Sequence, residues 1–365
     1  MEKKTKIIIS ILAILIIGVV AVNVFLTPSS VKSDGNETIT DMANRSVDIP
    51  TPINKVVATS PPMSAIIYMI APEKLVGLNF QWTDDELKFV PSQYKDLPNL
   101  GGWFGTQDGN YEQFIAAGPD IVFESIDESG EYSSVEERQD KFGTIPVVAA
   151  LDDTNVTTMS SSIKFVGEVL GAEDNANKLV DFNDKNINKI KQVTDSLQDS
   201  EKKKVYYAEG EDGLSTDGSG SSHGQLIDLC GGINVAELPT SAEASSVQVS
   251  IEQVMGWNPD IIITTNTEFY NNVYSDSKWS NLEAVKNHQV YLSPQSPFKW
   301  FDRPTGANMI IGAPWTAKVI YPDKYTDLNL KDLTKEFYNN FYHYNLNDDQ
   351  VTTLLKDSGL SENNM

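Results

Sequence analysis

The sequence predicts an α/β protein of two similar lobes with mainly parallel central sheets, joined by one long bridging α-helix, with a ligand cleft between the lobes. Three features support this prediction: a segment that recurs once, strand-like runs that alternate with helical ones, and a long amphipathic stretch in mid-chain. Two lobes of the same fold leave a groove between them, and small ligands bind preferentially in such grooves.

The recurring segment is the most informative feature. Residues 111–122 read YEQFIAAGPDIV, and residues 251–262 read IEQVMGWNPDII. Glu, Gln, Pro, Asp and Ile recur identically at a constant offset of 140 residues, from 112 to 252 and from 119 to 259. In both copies an apolar helical turn runs into Pro-Asp, which ends the helix, and then into a short β-rich run. The repeat therefore indicates two similar lobes.

Strand-like and helical segments alternate in two regions, which we assign to an N-terminal lobe over residues 46–171 and a C-terminal lobe over residues 200–345. This alternation is typical of a mainly parallel sheet. The predicted strands are residues 55–60, 75–78, 120–123 and 146–148 in the first lobe, and 204–208, 232–235, 260–265 and 289–292 in the second.

The bridge between the lobes is predicted over residues 172–199. Its helical core, from about 175 to 197, contains no glycine or proline and carries apolar residues at three- to five-residue spacing. A helix of about 23 residues is roughly 35 Å long, which suffices to connect two lobes. A stiff helical connector predicts limited hinge motion.

Composition excludes several classes of protein. The chain has 365 residues and a formal net charge of −23, so it repels phosphate backbones and we expect no nucleic-acid partner. Cys230 is the only cysteine, which excludes an internal disulfide and any site built from several cysteines. The apolar neighbours of Cys230 predict a buried thiol.

The N-terminus carries a membrane signal. Three lysines in the first six residues precede an apolar run over residues 7–26, which is long enough to span a bilayer and places the body outside the cell. We predict that residues 1–26 are an uncleaved anchor, with a cleaved signal as the alternative. Residues 27–45 are then a tether, and residues 346–365 a C-terminal tail.

Candidate ligand contacts lie beyond the carboxyl ends of the predicted strands, where open parallel sheets bind ligands. Trp103 and Trp300 sit among glycines or prolines, so we expect them to grip a flat or bulky ligand by stacking, with packing under a loop as the alternative. The full set of predicted ligand-binding residues is Trp82, Trp103, Phe104, Glu209, His223, Tyr270, Trp300 and Arg303.

Two of these residues carry specific chemistry. Arg303 is one of only three arginines and the one in a predicted cleft loop, where its guanidinium suits a carboxylate, phosphate or oxyanion. An ion pair with Asp302 is the alternative. His223 is a candidate to meet the open coordination position of a metal, to hydrogen-bond a ligand, or simply to cap a helix. The glycine-rich loop before it lacks the Gly-Lys-Ser/Thr of a nucleotide-binding loop.

Taken together, the two x-Glu-Gln-φ-x4-Pro-Asp-Ile lobes, the bridging helix and the exported N-terminus resemble the class III substrate-binding proteins of ABC importers. The resemblance covers about residues 46–344, and further matching segments are residues 166–171, 231–236, 315–323 and 337–342. It implies capture of a metal chelate, foremost an iron(III)-siderophore-type complex, and delivery to a permease dimer with a cytoplasmic ATPase. It also implies that Glu112 and Glu252 pair with arginines of the permease.

Several alternatives remain open at this stage. Relatives of this type also bind molybdate or tungstate, a nickel or cobalt chelate, or a corrinoid, and the scarcity of arginine disfavours a highly anionic catecholate. A bare zinc or manganese site is disfavoured because only three scattered histidines exist. No His-Glu-x-x-His motif is present, and we predict neither an enzyme nor a resident cofactor, with a surface enzyme or structural protein as the remaining alternatives.

Overall fold

The structure is a computed structural model that describes residues 35–127, 132–151, 153–238 and 246–365. Residues 38–49 together with the described part of 53–365 form one compact unit that contains both lobes, and residues 35–37 and 50–52 belong to a separate small unit. Strands β1 (Gly35–Thr40) and β2 (Ser46–Thr51) form a two-stranded sheet.

The first lobe is built on a three-stranded parallel sheet in the order β3-β4-β5. The predicted strand over residues 75–78 is reduced to single bridges at Leu75 and Leu78, a correction that follows from the 3-10 turn at Pro72–Lys74 immediately before it. The elements of this lobe are β3 (Val56–Ala58), α1 (Pro61–Ile70), α2 (Tyr111–Ala116), β4 (Ile121–Ile126), α3 (Ser133–Phe142) and β5 (Val147–Leu151).

The second lobe repeats this plan around a four-stranded parallel sheet in the order β11-β10-β6-β8, with a short antiparallel ribbon formed by β7 and β9. Together the two sheets confirm the predicted fold class. The elements are β6 (Lys204–Ala208), β7 (Ser215–Thr216), α6 (Gln225–Leu229), β8 (Ile233–Asn234), β9 (Val247–Gln248), α7 (Ile251–Trp257), β10 (Ile261–Thr264), α8 (Thr267–Asn272), α9 (Glu283–Lys286) and β11 (Val290–Leu292).

One 22-residue helix, α5 (Glu173–Thr194), connects the lobes and follows α4 (Ser160–Leu170) after a left-handed turn at Gly171. At 1.5 Å per residue it is about 33 Å long. A β-carbon at Gly167 would lie 2.4 Å from Cβ of Ala176, so this glycine allows α4 and α5 to approach closely. The apolar face of α5 joins the large core cluster, to which residues of both lobes contribute.

The Pro-Asp pair has the same structural role in both copies of the repeat. Asp120 Oδ2 accepts a hydrogen bond from the backbone N–H of Lys55 at 2.8 Å, and Asp260 Oδ2 accepts one from Lys204 at 2.9 Å. The backbone N–H groups of the two aspartates in turn donate to the carbonyls of the same lysines, both at 2.8 Å. Each aspartate therefore fixes the start of the central strand against the start of its neighbour.

The second lobe is completed by three C-terminal helices, α10 (Met309–Ile320), α11 (Leu330–Phe341) and α12 (Asp348–Asp357). The tail predicted over residues 346–365 is corrected by α12, which Asn347 caps and whose Val351 and Leu355 are buried. The sequence did not predict this helix, because the segment is short and polar and only two of its residues are buried.

The predicted tether over residues 27–45 also needs correction, because part of it belongs to the folded body. The backbone N–H of Met42 donates to the carbonyl of Ala149 at 3.1 Å, which attaches this segment to β5. Arg45 forms an ion pair with Asp41 at 2.6 Å. The anchor predicted over residues 7–26 lies outside the described residues, and no helix within the described ranges is long and apolar enough to span a bilayer.

Cys230 ends α6 and is fully buried, as predicted from its apolar neighbours. Its Sγ donates to the carbonyl of Ala313 in α10 at 3.4 Å. Burial raises the pKa of this thiol far above its ordinary value. The cysteine is therefore a packing residue between α6 and α10.

A glycine in α10 provides a test of the packing. A β-carbon at Gly312 would lie 1.9 Å from the carbonyl oxygen of Trp300, a distance that no packed structure tolerates. We expect Gly312→Ala to destabilise the protein by about 1–3 kcal/mol, since the backbone must shift. Gly256→Ala is the matched control, because no atom lies within 4 Å of its added carbon. Urea denaturation measures both, and equal midpoints for Gly312→Ala and the wild type would contradict this packing.

Candidate functional site

Arg303 is the centre of a charged cluster on the second lobe. Its Nη2 lies 2.5 Å from Glu209 Oε1 and 3.1 Å from Asp217 Oδ2, and its Nε lies 3.3 Å from Asp302 Oδ2. The Arg303 side chain is 36% exposed, whereas the three carboxylate side chains are 8%, 5% and 0% exposed. One partly accessible cation is thus held by three buried acids.

The imidazole of His223 is attached to the same cluster. Its Nδ1 lies 2.9 Å from both carboxylate oxygens of Asp302 and 2.9 Å from Thr305 Oγ1, and its Nε2 lies 3.3 Å from Nη1 of Arg303. Thr305 donates to Asp302 Oδ1 at 3.0 Å, and the buried Tyr207 hydroxyl donates to Asp302 Oδ2 at 3.1 Å. Asp302 therefore orients the ring of His223 and is itself fully hydrogen-bonded.

The fold explains why these residues meet. Glu209 follows β6, Asp217 follows β7, and His223 lies in the 3-10 turn Ser222–Gly224 that precedes α6. Arg303 lies in the loop after β11, with its backbone in the left-handed region at φ 65°, which residues other than glycine seldom adopt. All four positions lie beyond strand ends of one lobe, and the predicted residues Glu209, His223 and Arg303 are brought into contact.

Burial and like charge perturb Glu209. Burial and the neighbouring Asp217 raise its pKa and Arg303 lowers it, and the net result is a pKa of about 8. Its second oxygen, Oε2, is buried and has no hydrogen-bond partner among the described residues. The raised pKa of Glu209 favours its protonated form at neutral pH.

Asp302 and His223 shift the pKa of one another. Burial alone would lower the pKa of His223, but the hydrogen bond and negative charge of Asp302 outweigh it and raise the pKa. For Asp302, burial is outweighed by His223 and Arg303, so its pKa is lowered and it stays ionised. The guanidinium of Arg303 and the imidazole of His223 thus lie against the side chains of Asp217 and Asp302.

Three of these residues form a possible set of metal ligands. Asp217, His223 and Asp302 each offer one donor atom, and the three atoms lie within 4.8 Å of one another. Carboxylate and imidazole donors suit divalent and trivalent transition metals. The guanidinium of Arg303 lies beside them, so the cluster can present nitrogen and oxygen donors to a metal and a cation to an acidic group.

The cluster borders the first lobe. A β-carbon at Gly306 would lie 3.3 Å from Cα of Pro62, in the first turn of α1. The side chain of Gln225 donates to the carbonyl of Thr154 at 2.9 Å and accepts from the N–H of Val156 at 3.0 Å. The loops that carry Arg303 and His223 are therefore seated against the loops of the opposite lobe.

On the first lobe, the corresponding strand ends carry hydroxyl groups. Ser60 Oγ and Ser125 Oγ lie 2.7 Å apart, and Ser125 donates to Asp153 Oδ2 at 2.5 Å. Ser60 follows β3, Ser125 lies in β4, and Asp153 follows β5, so all three lie at or near the carboxyl ends of strands. The strand ends of the first lobe therefore carry polar side chains, and these include the carboxylate of Asp153.

The structure places Trp300 and Trp82 in the core, which corrects the expectation that their rings face a ligand. Trp300 is fully buried and its ring centroid lies 6.1 Å from that of Tyr338. Trp82 is 5% exposed and packs edge-on against Tyr68 and Phe298. The sequence around Trp300 resembles a loop, but the absence of a side chain at Gly312 lets this loop pack directly on α10.

Trp103 and Phe104 are partly exposed in the loop beside β3. The Trp103 ring packs against Tyr111 at 4.5 Å between centroids, and the guanidinium carbon of Arg138 lies 4.1 Å from its centroid. Because these groups already contact the indole, and because Trp300 is buried, the structure shows no facing pair of tryptophans.

Tyr270 lies in a different place from Arg303. It lines a cavity of about 600 Å³ together with Phe89, Ser296 and Lys356, and none of the members of the Arg303 cluster contributes to this lining. Burial raises the pKa of Tyr270 to about 12. The structure therefore does not bring Tyr270 together with the other predicted ligand contacts.

Glu112 and Glu252, the predicted permease contacts, are both exposed in the first turns of α2 and α7. Asn110 caps the first helix and Ser250 the second. Within the described chain neither glutamate takes part in a salt bridge, so both carboxylates remain accessible for a partner.

Asp217, Tyr207 and Thr305 are members of the site that were not predicted from the sequence. Asp217 lies in a loop that follows a strand end, and this position could have indicated its place in the site. Tyr207 looks like an ordinary strand residue, and only its contact with Asp302 reveals its position in the site.

Comparison with known proteins gives the family. A family model described as periplasmic binding protein matches residues 56–297. This chain belongs to that family. As a periplasmic binding protein, it is the extracytoplasmic substrate-binding component of an ABC importer, which implies a permease and an ATPase as partners. Members of the family are solute-binding proteins, and this confirms the prediction that the chain is not an enzyme.

Individual relatives of this periplasmic binding protein cover most of its length. The structure of an ABC transporter solute binding protein from Sulfurospirillum deleyianum is 32% identical, with a TM-score of 0.80, and the match covers 87% of this chain and 99% of that one. Molybdate-binding protein MolA of Haemophilus influenzae is 25% identical over 322 residues, 83% of this chain and 90% of MolA. The uncharacterised substrate-binding lipoprotein YvrC of Bacillus subtilis is 27% identical over 293 residues, 80% and 87% of the two chains.

The perturbed Glu209 gives a pH-dependent prediction. Its folded pKa of about 8 lies above the ordinary value of 4.5, so its contribution to stability is fully present below about pH 4.5 and is lost as the pH rises through about 8. Glu209→Gln imitates the protonated form. The wild type loses this contribution as the pH rises and the variant does not. We therefore expect the free energy of unfolding of the variant, minus that of the wild type, to increase from pH 6 to pH 9.

Urea denaturation at the two pH values measures this difference. Glu268→Gln, at an exposed position of α8, is the control and should show no such trend. The same difference between Glu209→Gln and wild type at pH 6 and pH 9 would show that Glu209 is not protonated in the folded state.

Proposed function

We propose that this binding protein captures a chelated metal ion in the cleft and delivers it to its permease. The supporting observation is the group Asp217, His223 and Asp302, whose donor atoms lie within 4.8 Å of one another beside Arg303. An iron(III) complex of the siderophore type is the leading cargo, and nickel or cobalt chelates and corrinoids belong to the same class.

The charges of the cluster support a metal complex of low net charge. A chelate with an open coordination position gains nitrogen or oxygen donors from His223 and the aspartates, while an acidic group of the chelator can pair with Arg303. Arg303 already pairs with Asp217 and Asp302 and contacts Glu209, so much of its positive charge is compensated before the ligand arrives. A highly anionic complex would meet carboxylates on both walls of the cleft, since Asp153 lies on the opposite lobe.

Molybdate is the second candidate, because the relative MolA is named as a molybdate-binding protein and aligns over 90% of its length. A small oxyanion needs hydrogen-bond donors and an available positive charge. The second lobe offers Arg303 and His223, but buried acids accompany both. We therefore place molybdate after a metal chelate.

A titration with defined ligands tests this proposal. We expect an iron(III) hydroxamate, nickel(II)–histidine or cobalamin to raise the melting temperature, because a ligand at a hundred times its Kd stabilises the folded state by about 2.7 kcal/mol. Molybdate at the same concentration should not. The variant His223→Asn should weaken binding of the chelate about tenfold or more, since it removes one donor and the contact that orients it on Asp302.

His288→Asn is the matched control, as this histidine is exposed and lies outside the cluster. Isothermal titration of wild type and both variants gives the affinities. Stabilisation by molybdate alone would favour the oxyanion instead, and no response to any chelate at 100 μM would refute the proposed cargo.

We further propose that Glu112 and Glu252 dock the loaded protein on its permease. The two carboxylates are exposed at equivalent positions of the repeat, so they suit a partner whose two subunits are related by symmetry. Opposite charges across such an interface increase the association rate and fix the orientation.

The double variant Glu112→Gln with Glu252→Gln tests this docking role. We expect at least tenfold slower transport into proteoliposomes that contain the permease and ATPase, because two charge pairs are lost, while the ligand affinity stays unchanged. The control is Glu136→Gln with Glu268→Gln, which removes one exposed first-turn glutamate from each lobe. A loss of ligand affinity, or transport at the wild-type rate, would contradict the assignment.

We also propose that residues 7–26 tether the protein to the outer face of the membrane. The length of this apolar run and the lysines before it support the proposal. Fractionation of cells that express the full chain, with mass measurement of the N-terminus, distinguishes a retained anchor from a cleaved signal.

A further inference from the structure

The internal repeat extends to the exposure of individual side chains. Along α2 and α7 the two copies have the same pattern of exposure, residue by residue, from position 111 to 119 and from 251 to 259. Phe114 and the equivalent Val254 are both fully buried. One position later, Ile115 and the equivalent Met255 are 43% and 44% exposed.

Large apolar side chains are rarely exposed in this protein. In the parts of the chain that the structure describes, four of them are exposed: Ile115, Ile233, Met255 and Tyr274. A single exposed apolar residue needs no explanation. Two of the four occupy equivalent positions, 140 residues apart, although their residue types differ, and neither contributes to a core cluster. This coincidence points to a shared role outside the core.

The exposed apolar residue and the exposed glutamate lie on one face of each helix. Ile115 follows Glu112 by three residues, and Met255 follows Glu252 by three, a spacing that places side chains side by side. We define the docking patches as Glu112 with Ile115 on the first lobe, and Glu252 with Met255 on the second.

Both docking patches are held rigidly. The buried Phe114 and Val254 fix the rotation of their helices about the helix axes. A residue in the left-handed region follows each helix, Gly118 at φ 65° and Asn258 at φ 46°. The Pro-Asp pairs that follow attach the chain to the central strands, so each patch keeps one orientation relative to its own sheet.

We propose that the two docking patches insert Ile115 and Met255 into two equivalent apolar sockets on the permease dimer, each socket bordered by a basic side chain that pairs with the adjacent glutamate. This proposal rests on the proposed delivery of cargo to a permease. The partner is a protein surface with twofold symmetry, because the patches recur by an internal duplication. A second copy of this chain is a poor partner, since acidic patches on a chain of net charge −23 repel one another.

The two components of a patch make different contributions. The glutamate acts at long range and therefore governs the association rate and its dependence on salt. The apolar side chain acts only after contact, when water has left the interface, and therefore governs dissociation. This separation makes the apolar contribution measurable by itself.

The test uses a double variant that carries both Ile115→Ser and Met255→Ser. Biolayer interferometry measures its binding, and that of the wild type, to the permease–ATPase complex in lipid nanodiscs. We expect a Kd about tenfold or more weaker, mostly through faster dissociation, at both 50 mM and 300 mM salt. The control combines Ile233→Ser and Tyr274→Ser, the other two exposed apolar residues, and should bind as wild type. Each single patch variant should lose about half of the effect on a logarithmic scale.

The outcomes separate the two proposals. Wild-type binding by the Ile115/Met255 double variant, or an equal loss in the control, would overturn the apolar docking role and leave delivery to the permease intact. If wild type itself fails to bind the complex, delivery and docking are both refuted. Sedimentation of the wild type supplies a third outcome: a dimer abolished by the double variant would assign the patches to a second copy of this chain and overturn the proposal.

Discussion

The hydrogen bonds of one aspartate in each lobe set the geometry on which the rest of the structure depends. Asp120 and Asp260 each bind the backbone at the start of the neighbouring strand, at Lys55 just before β3 and at Lys204 in β6, through the side chain and the main chain together. The register of the central strands follows from these contacts. Since the site residues lie on loops at the far ends of the same strands, an error in register would separate the groups that form the Arg303 cluster.

The Arg303 cluster combines acidic and basic side chains that hydrogen bonds hold in position. Three acids surround one arginine and one histidine, and the tyrosine and threonine hydroxyls on Asp302 fix its carboxylate. Such a network is preorganised, because each donor has its partner before a ligand arrives. The guanidinium of Arg303 is the part of the cluster that stays accessible to a ligand, because its side chain is 36% exposed.

Much of the fold could be predicted from the sequence, because the repeat and the long helical segment are local patterns that survive in a single chain. The positions of Glu209, His223 and Arg303 could also be predicted, since the carboxyl ends of parallel strands converge. The burial of Trp300 could not be predicted. It depends on Gly312, which the folded structure places against the backbone of Trp300. The C-terminal helix was missed for a similar reason: its two buried residues gain their meaning from the core they contact.

The buried thiol has a practical consequence for measuring how far the lobes move. Cys230 is the only cysteine of the chain and is shielded from solvent, and burial raises its pKa, so it stays un-ionised at neutral pH. Thiol reagents require access and the thiolate form. Two cysteines introduced at exposed sites, one per lobe, would accept a pair of fluorophores or spin labels in the otherwise native chain. Lobe separation with and without cargo could then be read directly as a distance distribution.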